Sequence, residues 1–177
     1  MIDHLDGVGD ADVCLARIAA SRGELLSILA GLSDGQFHRR PDEEAWSAGM
    51  IAHHVGMVEK GTARIVQMLG VASQRGTQLQ VQVPQGRRRE DGRMIAPASV
   101  TPPADAARPE IMEMLSTSRM ALLQAIGEHR PDLEGTATMD HPFYGPLTGL
   151  GWLRMITVHE EWHVEQLRRV QQTAPSH

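Results

Sequence analysis

Apolar residues recur at three- and four-residue steps in four separate stretches of the chain, the spacing that lines one face of an α-helix. The first stretch runs from about Ala11 to Leu32 and places Leu15, Ile18, Leu25, Leu29 and Leu32 on one stripe. Gly31 and a Ser33-Asp34-Gly35 turn end it. The second runs from about Ser47, a suitable N-cap, to Leu69, with Ile51, His54, Val58, Gly61, Ile65 and Met68 on its face. Gly70 stands where a C-terminal cap is expected. The third begins near Pro109, carries Ile111, Leu115, Ser118, Leu122 and Ile126, and stops before Pro131. The fourth runs from about Thr148 to Gln172, with Trp152, Met155, Ile156, His159, His163, Gln166 and Val170 in line.

Between the second and third helices lies a long irregular connection, about residues 71–105, broken by Pro84, Pro97, Pro102 and Pro103. Leu79, Val81 and Val83 alternate with Gln and predict a short strand there. The Arg87-Arg88-Arg89 run, followed by Glu90 and Asp91, reads as a solvated loop cluster rather than a phosphate site. Four helices without a convincing sheet predict an all-α fold, a four-helix bundle in one domain over 1–177. The long connection permits helices two and three to run in the same direction, and length alone does not fix the topology.

Composition narrows the function. The formal charge of −5 disfavours a nucleic-acid binder or a polybasic membrane-surface protein. No apolar run approaches the roughly 18 residues of a membrane helix. The acidic start, Met1 to Asp6, lacks the pattern of a secretory signal. A cytoplasmic location is expected. The single Cys14 removes any disulfide framework or cysteine-rich zinc site, and aromatics at 3% leave aliphatic side chains and Met to fill the core.

Nine histidines remain to be placed. His159 and His163 are four apart on a helix, which stacks them on one face about 5–6 Å apart at Cβ. Neutral imidazole ligates zinc, nickel and iron without choosing among them. The local His159-Glu160-Glu161-Trp162-His163 matches the zinc-protease pattern H-E-x-x-H. Such a protease needs a further ligand downstream. Of the 14 residues after His163, the one carboxylate is Glu165, and helix geometry turns it away from the histidine face. A third ligand should therefore come from upstream. His54 lies in the apolar stripe of the second helix, whereas His53 looks more exposed. A buried imidazole satisfied by one hydrogen bond is the competing reading for each ring. His141 reads as a loop residue steadying the start of helix four. His4, His38, His129 and His177 default to solvent.

Trp46-Ser47 followed by His54 resembles the W-S-x(6)-H signature of the DinB-like superfamily, which includes YfiT-type metal-dependent hydrolases. His159-x-x-x-His163-x-x-Gln166 resembles that family's last-helix signature, and His141-Pro142-Phe143-Tyr144-Gly145-Pro146-Leu147-Thr148 resembles its lead-in. The likeness spans about Pro41 to Val170, with the central loop unmatched. It implies up-down-down-up topology, usually a homodimer, and a divalent metal held by His54, His159 and His163 with water at open positions. It also implies hydrolysis, or transfer or isomerisation using a low-molecular-weight thiol, on a small-molecule substrate. Met50 stands where a Glu often completes a capping box, and Gly149 and Gly151 weaken the start of helix four.

Within that reading Glu160 is a candidate base, although it is rotated about 100° from His159 and sits near Leu153, Ile156, Val164 and Leu167. Gln166, one turn past His163, is a candidate hydrogen-bond partner for a ligand or its bound water. Tyr144 is a candidate for the pocket rim, and Trp152 and Trp162 read as packing or interface residues. The alternative function is a non-catalytic metal-binding or dimerisation module.

Overall fold

The computed structural model describes residues 5–79, 81, 83–90, 92 and 94–172. Four long helices form the bundle: α1 (Ala11–Ala30), α3 (Ala48–Arg75), α4 (Arg108–Glu128) and α5 (Gly149–Gln172). A short α2 (Asp34–His38) follows α1. The expected Ser33-Asp34-Gly35 turn is the start of that helix: Ser33 and Gln36 close a reciprocal capping box over it. Two small antiparallel hairpins, β1 (Arg87–Arg88) with β2 (Met94–Ile95) and β3 (Met139–His141) with β4 (Gly145–Leu147), and short 3-10 turns lie in the connections.

Side-chain pairs fix the helix directions. Arg17 meets Glu161 and Glu24 meets Arg168, so α1 and α5 are parallel. The Cα of Gly56 faces Met114 and that of Gly70 faces His129, so α3 and α4 are parallel. Arg108 at the start of α4 donates to Leu29 and Leu32 at the end of α1, which makes that pair antiparallel. The topology is up-down-down-up, with the long connection carrying the chain back along the bundle.

Two boundaries differ from expectation. Gly70 does not cap α3; the helix runs five residues further to Arg75, and Gly76 in the left-handed region (φ 63°) closes it. Gly70 serves close approach instead, since a Cβ there would stand 2.2 Å from the His129 ring. His129 is correspondingly buried rather than solvent-exposed, while His38 is exposed as expected. His4 and His177 lie outside the described residues. Leu79, Val81 and Val83 belong to no strand, and Gln80 and Gln82 between them lie outside the described residues. Arg88 and Arg89 are tied down: Arg89 pairs with Glu44 and Arg88 lies over the Phe143 ring.

The core is split into two apolar layers. One gathers Ile18, Val66, Leu69, Leu122, Leu153 and Ile156; the other gathers Leu25, Leu29, Phe37, Val55, Leu115 and Leu167. At the level between them four charges, three buried and Arg119 partly exposed, cross-link all four long helices. Arg22 grips Glu160 with Nε and Nη2 at 2.9 and 3.2 Å and donates to Glu59 at 2.9 Å. Arg119 donates to Glu59 at 2.6 Å and to Glu160 at 2.5 Å. Ser118 donates to Glu59, and backbone carbonyls of Leu115 and Ile18 take the spare guanidinium hydrogens. The set is charge-neutral, as a buried ionic layer must be to be tolerated. Among the described residues no helix is long and apolar enough to cross a membrane.

Candidate metal centre

The middle of the second expected stripe faces a cleft, while Ile51 joins the core and Met68 is exposed. Ile51, Val55, Thr62, Val66 and Leu69 of α3 pack inward, whereas His54, Val58, Gly61 and Ile65 line a cleft of about 1410 Å³. Its other walls come from α1, α5 and the connections before α3, α4 and α5. Ser47 sets this orientation. Its side chain accepts from the Met50 N–H at 3.2 Å and starts α3 so that His54 falls two turns in, with the Trp46 ring 4.8 Å away.

His54, His159 and His163 converge at the cleft wall, each offering a ligand atom within 4.8 Å of the others. Two rings are fixed from behind. His54 Nδ1 donates to the Val100 carbonyl at 2.7 Å, and His163 Nδ1 donates to Gln166 Oε1 at 2.9 Å. Both therefore turn an Nε2 lone pair toward the others. His54 Nε2 lies 3.2 Å from His159 Nε2. Two imidazoles sharing one tetrahedral ion sit about 3.4 Å apart, nitrogen to nitrogen, given metal–nitrogen bonds of about 2.0–2.1 Å. The pair is already at that spacing.

The same separation suits a direct hydrogen bond with His159 as donor. That arrangement leaves the buried Nε2 of His163 with no partner. A shared cation satisfies all three nitrogens at once, so the residues present fit a metal. Burial keeps the rings neutral, as ligands must be. It pushes His163 down to about 3, assisted by its neighbour His54. It also lowers His54, and holds His159 well below the ordinary histidine range with help from His163 and His54.

Gln166 thus stands where the sequence puts it, one turn beyond His163 and bonded to it. Glu160 requires a correction. Its carboxylate is fully buried in the ionic layer and both oxygens accept from Arg22 and Arg119. It does not line the cleft. Burial pushes its carboxyl up while the two guanidiniums pull it back. Tyr144, Trp152 and Trp162 all line the cleft. Trp152 is also buried, its indole N–H donating to the Met139 carbonyl, and Trp162 is half exposed. Sequence reasoning missed Val100, whose carbonyl comes from a short turn of 3-10 helix, Ala98–Val100, with no periodic signal.

Fold and site define a four-helix bundle with a three-histidine cluster on a cleft between its helices. The chain belongs to the DinB superfamily, which matches residues 17–167. It is also similar to a solved structure described as TT2238, a four-helix bundle protein. The two share 28% identity with a TM-score of 0.67, over 89% of this chain and 98% of that one. No curated protein matches the chain.

Proposed function

We propose that this chain is a metal-dependent enzyme, a hydrolase or a thiol-dependent transferase, acting on a small molecule. The divalent cation is held by His54, His159 and His163. The observation that carries the reading is the convergence of three neutral ring nitrogens on one point of a large cleft, two of them fixed from behind. An ion bound by three uncharged imidazoles keeps its full charge and supplies Lewis acidity to a water, a thiol or a carbonyl group. Zinc, nickel and iron all suit this donor set.

The chain's own residues do the rest. Val100 and Gln166 hold two tautomers and ring planes, which keeps the donors aimed before any ion arrives. Trp46, Val58, Ile65 and Met155 give the cleft apolar walls that exclude water around a substrate. A cytoplasmic homodimer completes the proposal, and light scattering of the purified chain tests its dimeric state.

Metal analysis of protein purified without chelator or affinity-column nickel tests the centre. About one divalent ion per chain is expected, lost in His54→Ala and His163→Ala. Turnover of esters, amides or thiol conjugates should disappear with the ion and return when metal is restored. A requirement for added thiol selects the transferase. Equal metal content in wild type and both variants overturns the ligand assignment.

A further inference from the structure

We propose that His141 is the second anchor of the cleft, a hydrogen-bond donor that orients the substrate by binding a carbonyl or carboxylate oxygen while the three-imidazole site holds the other end. The inference rests on the metal reading and extends it to substrate selection.

His141 ends β3 and lines the same cleft as His54, His159 and His163. Its ring is clamped, lying edge-on to Trp152 with centroids 5.1 Å apart and tilted against Tyr144 at 4.9 Å. The backbone N–H of Phe143 donates to its Nδ1 at 3.2 Å. With Nδ1 an acceptor, the neutral ring carries its hydrogen on Nε2. Among the described residues no hydrogen bond reaches that Nε2. The arrangement mirrors His163 with opposite polarity. There a donated Nδ1 hydrogen leaves a lone pair for a cation; here an accepting Nδ1 leaves an N–H for an anion or a carbonyl. Burial pushes His141 down to about 4, so the ring is an uncharged donor at neutral pH.

His141 and the three imidazoles line one cleft, and His141 is near enough to His159 to act on its charge, so one small molecule can meet both. A purely structural role, packing on Trp152 and closing the turn, uses the ring faces and Nδ1 and leaves the Nε2 hydrogen available to the cleft.

Cobalt(II)-loaded protein reports binding at the imidazole centre through its visible absorption. Four probes suffice: acetate and hexanoate, which have no second acceptor, 5-oxohexanoate with a distal carbonyl, and adipate with a distal carboxylate. One of the last two is expected to bind about five- to tenfold tighter than hexanoate, a typical return for one buried hydrogen bond, and which one identifies the acceptor class. His141→Phe, which keeps a ring against Trp152, should erase the preference; His141→Gln, which keeps a donor, should restore part of it. Acetate affinity and the cobalt spectrum should be the same in all three proteins. Absence of any preference in wild type, or its survival in His141→Phe with an intact spectrum, overturns the proposal. A wild-type protein that yields no cobalt spectrum refutes the metal reading itself, and this second anchor falls with it.

Discussion

Replacing Glu160 by glutamine separates a carboxylate that holds the bundle from one that does chemistry. The side chain is fully buried and its oxygens accept three guanidinium contacts, at 2.9 and 3.2 Å from Arg22 and 2.5 Å from Arg119. Glutamine is nearly isosteric but uncharged. Its amide NH2 would face a guanidinium donor to donor, and Arg22 and Arg119 would share Glu59 alone. The layer would carry an uncompensated positive charge with no water to screen it. Removing one partner of a buried ion pair costs about 3–5 kcal/mol, a large part of the about 5–15 kcal/mol that holds a domain together. Breaking the outer Arg17–Glu161 pair, whose side chains are 33% and 35% exposed, should cost no more than about 1 kcal/mol.

Urea unfolding in the presence of EDTA, followed by far-UV circular dichroism, measures both. Glu160→Gln should fall by about 3–5 kcal/mol and Arg17→Met by at most about 1 kcal/mol. Adding Arg22→Met to Glu160→Gln restores neutrality, so the double variant should be more stable than the summed single losses by about 1 kcal/mol or more. Metal content of folded Glu160→Gln should match wild type. A loss below about 1 kcal/mol, together with loss of turnover at full metal occupancy, would refute the structural assignment and return Glu160 to the role of base.

Two further outcomes follow from the same geometry. Gln166→Leu removes the acceptor behind His163 and should weaken metal affinity about 10- to 100-fold without unfolding the protein; competition with a chromogenic chelator measures it, and unchanged affinity would show that Gln166 does not orient the ligand. The metal-free protein should lose stability as pH falls from 7 to 5. His163 (about 3) and His141 (about 4) are held neutral in the fold, whereas the unfolded chain takes up protons below about 6.5, so stability is full above that value and drains toward the folded values. A urea midpoint that stays flat across this window would count against buried neutral rings.

The helices were legible because their apolar residues repeat at the helical step and their ends carry Ser47, Pro109 and Pro131. The histidine pair was legible for the same reason, since four residues on a helix is a spatial statement. The period reports which residues share a face, but not what that face meets. His54, Val58, Gly61 and Ile65 are aligned as expected, yet they border a cleft because α3 packs on its partners through the adjacent row. The Val100 carbonyl behind His54 depends on the path of the connection and left no trace in the sequence.

The ionic layer was not read from the chain, although its charges stand at helical steps from apolar residues. Arg22 interrupts the stripe between Ile18 and Leu25, Glu59 stands four residues after Val55, and Glu160 falls between Ile156 and Val164. All five of these apolar neighbours are buried in the core, and so are the three charges. A lone carboxylate at a core position invites a catalytic reading. Three charges of both signs at core positions on three different helices demand one another instead, because none can be buried without a partner. The partners lie at separations of 37 and 138 residues along the chain. Only the assembled bundle brings these partners together and shows that Glu160 is already engaged by Arg22 and Arg119.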